Sequence, residues 1–364
     1  MTAGKILYEI NDFTLDVSWN IAPGQALVLF GPSGAGKTTI LRAIAGLIRP
    51  NSGFIKIGNT VVFDNINHIW VPPHRRHVGY MTQQYHLFPH LTVSRNIGYG
   101  LFNLPKNEIK NTVSDLITTF QLSGLENRYP SEISGGQQQR VAFARALASH
   151  PEVLLLDEPF ASLDSKIRRT VRSEIRSILS NTQIPMILVT HEIEEALAIG
   201  DIVQVVESGK TLTIGEPLAI LGQPGQERVA NIIGVENLIP MQVDSISASD
   251  GTMVCTPILN KTPKLEIPLT DVAERASITV GIRASDIILS RDRVERSSAR
   301  NQILGNVTDI QMFSPGYRIT LNCSGIILSC QITGTSLSEM GIEKGSDVWA
   351  VFKASSCFTV RDTD

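Results

Sequence analysis

The segment Gly31-Pro32-Ser33-Gly34-Ala35-Gly36-Lys37-Thr38 constrains this chain more than any other stretch. It follows the apolar run ALVLF and opens the helical pattern TTILRAIAGLI. A short continuous apolar run is the mark of a strand buried on both faces. Strand, glycine loop and helix in that order make a phosphate loop. Backbone N–H groups from Gly31, Pro32's successors Ser33, Gly34, Ala35 and Gly36, and the helix start wrap phosphate oxygens. The helix N-terminus adds roughly half a positive charge. Lys37 supplies a full charge, Thr38 offers a hydroxyl to Mg²⁺, and Thr39 completes the loop's nucleotide-binding set. A chance glycine turn would not arrive flanked by both elements.

The rest of the first 235 residues continues the alternation. ILYEI and FTLDVSW read as strands, and VLLLD (153–157), MILVT (186–190) and IVQVV (202–206) as further strands. Residues from about 92 to 148 are helical in pattern, and Lys166 to Leu179 reads as an amphipathic helix. Strands alternating with helices predict an α/β domain with a mostly parallel sheet and a helical subdomain.

Asp157-Glu158 ends the buried run VLLLD. Two acids there could simply cap a strand. In the same sheet as a phosphate loop, they take defined roles: Asp157 on Mg²⁺ and Glu158 polarising an attacking water.

Ile133-Ser134-Gly135-Gly136-Gln137-Gln138-Gln139-Arg140 heads a second helix, with an N-cap serine and two glycines exposing N–H groups to an anion. This stretch resembles the LSGGQ-x-QR signature of the ABC ATPases, with Ile133 for the first Leu. The resemblance covers residues 1 to about 235. It implies ATP as ligand with Mg²⁺, and hydrolysis as the activity. It also implies a homodimer in which Ser134, Gly135, Gly136 and Gln137 close over the partner's ATP. In the same family, Gln83 corresponds to the glutamine that contacts Mg²⁺ and the attacking water. Asp164, in Ser162-Leu163-Asp164, corresponds to the D-loop, and His191 to the histidine on the γ-phosphate. Tyr8 sits at the family distance for the adenine-stacking aromatic, with Phe13 as rival. Phe88-Pro89-His90-Leu91 lies where the family docks its membrane subunit.

After about residue 235 the chain turns all-β, predicting a small β-barrel, which the resemblance given below makes OB-like or Mop-like. The expected division is 1–235 for the ATPase, 236–298 for a β-rich connection and 299–364 for the barrel. Ser298-Ala299-Arg300-Asn301-Gln302 and Lys353-Ala354-Ser355 look like a Mop domain, a molybdate-binding module. That resemblance implies an oxyanion site of Ser298, Arg300, Lys353 and Ser355, with cations and hydroxyls suited to a dianion. A solvated pair of strand-end charges, or a tail that only dimerises, is the plainer reading.

Composition is ordinary for a soluble globular protein. Hydrophobic residues are 42% and net charge is −3, which gives no basic field for nucleic acid. Four cysteines without C-x-x-C spacing, and with no His close by in sequence, argue against a zinc site. No apolar run reaches the ~20 residues that span a bilayer, and the N-terminus does not read as a signal peptide. The family implies a peripheral subunit on the cytoplasmic face of the inner membrane. Its partners would be two permease subunits and, indirectly, a periplasmic solute-binding protein. Molybdate is the expected cargo. Sulfate or thiosulfate, iron(III) or a sugar are alternatives, and a non-transport ABC protein is a third reading that the single cassette disfavours.

Overall fold

A computed structural model of the chain describes residues 1–161, 168, 171–173, 175–177, 182–258, 262–313 and 316–360. Two compact units emerge, Met1–Leu218 and Ala219–Asp364. This division falls earlier than the change in composition near residue 235.

Among the described residues the first unit is built on eleven strands. They are β1 (Thr2–Ile10), β2 (Phe13–Ile21), β3 (Ala26–Phe30), β4 (Ser52–Ile57), β5 (Thr60–Asp64), β6 (Ile69–Trp70), β7 (Val78–Met81), β8 (Val153–Asp157), β9 (Met186–Thr190), β10 (Ile202–Glu207) and β11 (Lys210–Gly215). Their order is β6-β5-β4-β1-β2-β11-β10-β3-β9-β8-β7. The block β10-β3-β9-β8-β7 is parallel, as the alternating pattern predicts. Every residue of β3, β8 and β9 is buried, which is why these strands read as unbroken apolar runs.

On the other flank β11 runs parallel to β2, while the pairs β2-β1, β1-β4, β4-β5 and β5-β6 are antiparallel, all but β1-β4 joined by short connections. Asn11 and Asp12 alone join β1 to β2, and Asn11 takes φ +50°, as a two-residue hairpin requires. Ser208-Gly209 joins β10 to β11 in the same way.

Four helices matter for the site: α1 (Lys37–Ala45), α2 (Val93–Ile97), α3 (Lys106–Thr119) and α4 (Gly135–Ala148). The last three fall within the expected helical stretch and pack on one another. The C-terminal carbonyls of α1 are capped from afar. Buried Arg76 donates to Ala43 O and Ile44 O at 2.9 and 3.0 Å, and its guanidinium lies 4.5 Å over the Trp70 ring. Burial pulls its pKa down to about 10.

In a parallel sheet the ligand crevice lies beyond the carboxyl ends of the strands. The register lines those ends up: Phe30 pairs with Thr190, Asp157 with Val189, and Met81 with Leu156. The chain therefore delivers Gly31, Gln83, Glu158 and His191 to one edge.

The second unit is all-β apart from short helices such as Glu227–Ile233 and Gly334–Glu339. Its strands run from β12 (Asn237–Ser247) through β13 (Thr252–Pro257), β14 (Leu265–Pro268), β15 (Ser277–Ile282), β16 (Ile288–Ser290), β17 (Asn301–Phe313), β18 (Gly316–Cys323), β19 (Ile326–Ile332) and β20 (Asp347–Phe352) to β21 (Cys357–Val360). They form two five-stranded sheets, β14-β13-β12-β15-β21 and β16-β20-β17-β18-β19. Each half of the tail lends a strand to the other. β16 joins the sheet of β17–β20, and β21 joins the sheet of β12–β15. A single apolar core runs between them, so the tail folds as a unit across residue 298. All four cysteines are free and buried.

Candidate functional site

The phosphate loop needs two of its glycines for steric reasons. A Cβ on Gly31 would sit 2.1 Å from Val206 O. Gly36 caps α1 at φ +100°, where a side chain would also strike Phe13 and Leu15. The loop bounds a cleft of about 320 Å³ lined by Phe13, Ser33, Gly34, Ala35, Gly36, Lys37, Thr38, Thr39, Glu158 and Val189.

Lys37 is buried, and its ammonium donates to Gly31 O at 2.7 Å and Pro32 O at 2.8 Å. Burial pulls its pKa below the usual lysine value, against the carboxylates of Glu158 and Asp157. Thr38 Oγ1 donates to Asp157 Oδ1 at 3.0 Å. Burial pushes the Asp157 carboxyl above its ordinary pKa; Glu158 adds to this, while the Thr38 bond, Arg42 and Lys37 oppose it.

Glu158 stands at the centre. Gln83 Nε2 donates to its Oε2 at 3.1 Å, and His191 Nδ1 lies 3.2 Å from its Oε1. Glu158 adopts φ +44°, an uncommon region for a residue with a side chain. Its N–H is fixed by Val189 O at 3.0 Å. The three side chains come from the ends of β7, β8 and β9; the runs VLLLD and MILVT announce the last two, whereas β7 is a strand the sequence reading does not contain. A lysine, a hydroxyl and two carboxylates around a cavity at a helix N-terminus suit a nucleotide's phosphates and an attacking water.

Two placements were less legible. Phe13 lines the cleft and Tyr8, which pairs with Leu15, does not, although both rings pack against the core of the first unit. The signal for Phe13 was the Asn11-Asp12 turn, which puts the first residue of β2 beside Gly36. Ser134 caps α4, and Ser134 and Gln137 hydrogen-bond reciprocally, at 3.3 Å from Gln137 N–H to Ser134 Oγ and 2.9 Å back. None of Ser134, Gly135, Gly136 and Gln137 lines the Lys37 cleft. Asp164 and most of the segment Lys166 to Leu179 lie outside the described residues.

In the tail, Asn301 pairs with Phe352, so Arg300 and Lys353 flank one end of the β17–β20 ladder. Ser298, Arg300, Lys353 and Ser355 are all exposed. Arg300 Nε already contacts both oxygens of Glu266, at 3.2 and 3.1 Å. Among the described residues no group of three or more His, Cys, Asp or Glu is placed to hold a metal by itself. No helix among them is long and apolar enough to cross a membrane.

The ABC transporter family profile matches residues 14–161, and the TOBE domain profile matches residues 297–359. The molybdate/tungstate import ATP-binding protein of Pyrococcus abyssi is 35% identical over 352 residues, 96% of each chain. The chain belongs to the ABC transporter ATP-binding proteins. It is the ATP-binding subunit of an ABC importer, an ATPase coupled to transport. This ABC ATPase is also similar to the Fe(3+) ions import ATP-binding protein of Photorhabdus laumondii, 37% identical over 326 residues, 87% of this chain and 85% of that one. Among solved structures it resembles a dimeric ATP-binding cassette in a post-hydrolysis state bound to ADP and Pi. That likeness has TM-score 0.52 and 28% identity, covering 60% of this chain and 99% of that one.

Proposed function

We propose that this ABC ATPase energises molybdate import from the cytoplasmic face of the cell membrane. It works there as a homodimer with two permease subunits and, indirectly, a periplasmic solute-binding protein. The observation that carries the cargo is the similarity to the molybdate/tungstate importer, which runs through both the cassette and the tail.

ATP enters the cleft between Phe13 and the loop Gly31–Thr39, with adenine stacked on Phe13 and the phosphates at the start of α1. Lys37 exchanges the carbonyls of Gly31 and Pro32 for β- and γ-phosphate oxygens. Thr38, Asp157 and Gln83 provide the hydroxyl, carboxylate and amide oxygens that suit Mg²⁺, a hard cation that neutralises charge developing on the phosphates. Glu158 holds the attacking water and takes its proton. His191, beside the same carboxylate, donates to the γ-phosphate. Ser134, Gly135, Gly136 and Gln137 close over a second copy's ATP, with Asp164 at the same junction. ADP and phosphate leave when the dimer opens.

The permease docks beside Phe88–Leu91. A groove of about 810 Å³ lies there, lined among others by His90, Leu91, Tyr99, Ile109 and Val113. Four hydrogen bonds of buried Asn96 to Phe88, Leu91 and Thr92 fix the rim.

The oxyanion reading of Ser298, Arg300, Lys353 and Ser355 requires Glu266 to yield Arg300. The iron-importer similarity favours a second reading, the same engine with another cargo. The test is ATP-dependent uptake by proteoliposomes holding the complex that co-purifies with the tagged chain. Accumulation of labelled molybdate supports the proposal. Uptake of iron(III) or sulfate alone overturns the cargo and leaves the ATPase standing.

A further inference from the structure

We propose that Gln139 is a positioning residue that ties the geometry of Glu158 to the signature helix α4. The inference rests on reading Glu158 as the base, and goes beyond it.

The left-handed backbone of Glu158 has to be held by its surroundings, because a β-carbon makes that region costly. One anchor lies before the side chain: the Glu158 N–H donates to Val189 O on β9. The other lies after it. Pro159 O accepts a 2.7 Å hydrogen bond from Gln139 Nε2, and Tyr85 Oη lies 3.5 Å from the same oxygen. Gln139 is fully buried, so no water competes for its amide. Its remaining amide oxygen has no hydrogen-bond partner among the described residues, so the contact to Pro159 is what this side chain does.

Gln139 stands five residues after Ser134 on a continuous helix, about 7.5 Å along the axis. A second residue of α4 grips the same region. Arg145 donates to His86 O at 2.7 Å and Tyr85 O at 2.6 Å, two residues with positive φ just after Gln83. One helix therefore begins at the surface that meets the partner's nucleotide and holds the peptides next to both Glu158 and Gln83. When α4 shifts as the signature engages ATP, Pro159 O and the Glu158 carboxylate shift with it. Hydrolysis then becomes contingent on partner capture.

The test compares Gln139→Met, which keeps the shape and removes the donor, with Gln139→His, whose ring N–H reaches to a similar distance. Each is made in the wild-type and the Glu158→Gln backgrounds of the full chain. Gln139→Met should lower kcat roughly tenfold or more, with KM for ATP and the melting temperature near wild type. Gln139→His should recover most of that loss. In the Glu158→Gln background, Gln139→Met should add nothing to the residual rate, because the group it positions is already gone. Unchanged kcat in Gln139→Met, or the same fold-loss in both backgrounds, overturns the proposal. Wild-type turnover in Glu158→Gln alone would instead remove the base reading beneath it. If Gln139→Met fails to fold, Gln139→Leu, of similar volume and also without a donor, takes its place: a kcat loss of roughly tenfold or more in the folded protein is expected, and an unchanged kcat overturns the proposal.

Discussion

Thr38 and Asp157 stand 119 residues apart in sequence, yet the Thr38 hydroxyl donates to Asp157 Oδ1 at 3.0 Å. Lys37 is parked in the same manner on the carbonyls of Gly31 and Pro32. The polar groups of the cleft satisfy one another, so nucleotide binding is an exchange of partners rather than a filling of vacant sites. This arrangement keeps an ammonium and a carboxylate buried without orphaning either.

Lys37 is held for function at some cost to stability. Its pKa is lowered chiefly by burial. A lysine whose folded pKa lies below its unfolded value destabilises the fold at every pH where both states are charged. The cost is relieved as pH rises through the folded pKa. At pH 7 the empty Lys37→Met protein should therefore melt at or up to roughly 2–4 °C above wild type. Added ATP should shift the wild-type midpoint and leave the variant's unmoved. Scanning calorimetry reads both, and an ATP shift retained in Lys37→Met would contradict the role.

Phe13 and Tyr8 make separable predictions. Loss of a base-stacking aromatic costs about 1–3 kcal/mol. Phe13→Ala should thus weaken ATP binding by roughly tenfold or more, while triphosphate alone binds as before. Tyr8→Ala should lower stability through the core and leave affinity within about twofold. Titration calorimetry with the two variants distinguishes them, and the reverse pattern would restore Tyr8.

Asp201 predicts an acid limb of stability. Burial, the largest influence, pushes its pKa up. Two bonds from Arg176, at 2.5 and 3.1 Å, and the Ala26 N–H at 2.8 Å together outweigh that and leave it below the ordinary aspartate value. A depressed carboxylate contributes stability that is complete above its unfolded pKa, near 3.9, and is lost as pH falls through the folded pKa. Asp201→Asn should cost roughly 1–2 kcal/mol at pH 7 and flatten the decline below about pH 4. Denaturant melts across that range check it; equal slopes for the two proteins would count against the pairing.

The sequence carried the parts of this molecule that local chemistry dictates. ALVLF, VLLLD and MILVT could be read as strands because burial on both faces leaves no polar alternation. Gly31–Thr38 and Asp157-Glu158 were legible because their spacing is the chemistry. What stayed hidden depends on distant chain. The antiparallel pairing of β1 with β4 and the parallel contact of β11 with β2 bring together strands that are not neighbours in sequence. The Arg300–Glu266 pair and the exchange of β16 and β21 join residues far apart in sequence. The positive φ of Glu158 and the reach of Gln139 to Pro159 have no local signature at all.

The measurement closest to the central claim is ATP turnover by Glu158→Gln in the full chain, taken together with its assembly state. The amide keeps the shape and the contact region of Gln83 and His191 but cannot accept the water's proton. ATP should still bind, steady-state hydrolysis should fall by roughly 10²-fold or more, and a closed, ATP-bound dimer should accumulate on size-exclusion chromatography with light scattering. Wild-type-like turnover, or ATP binding that leaves the chain monomeric, would contradict the account.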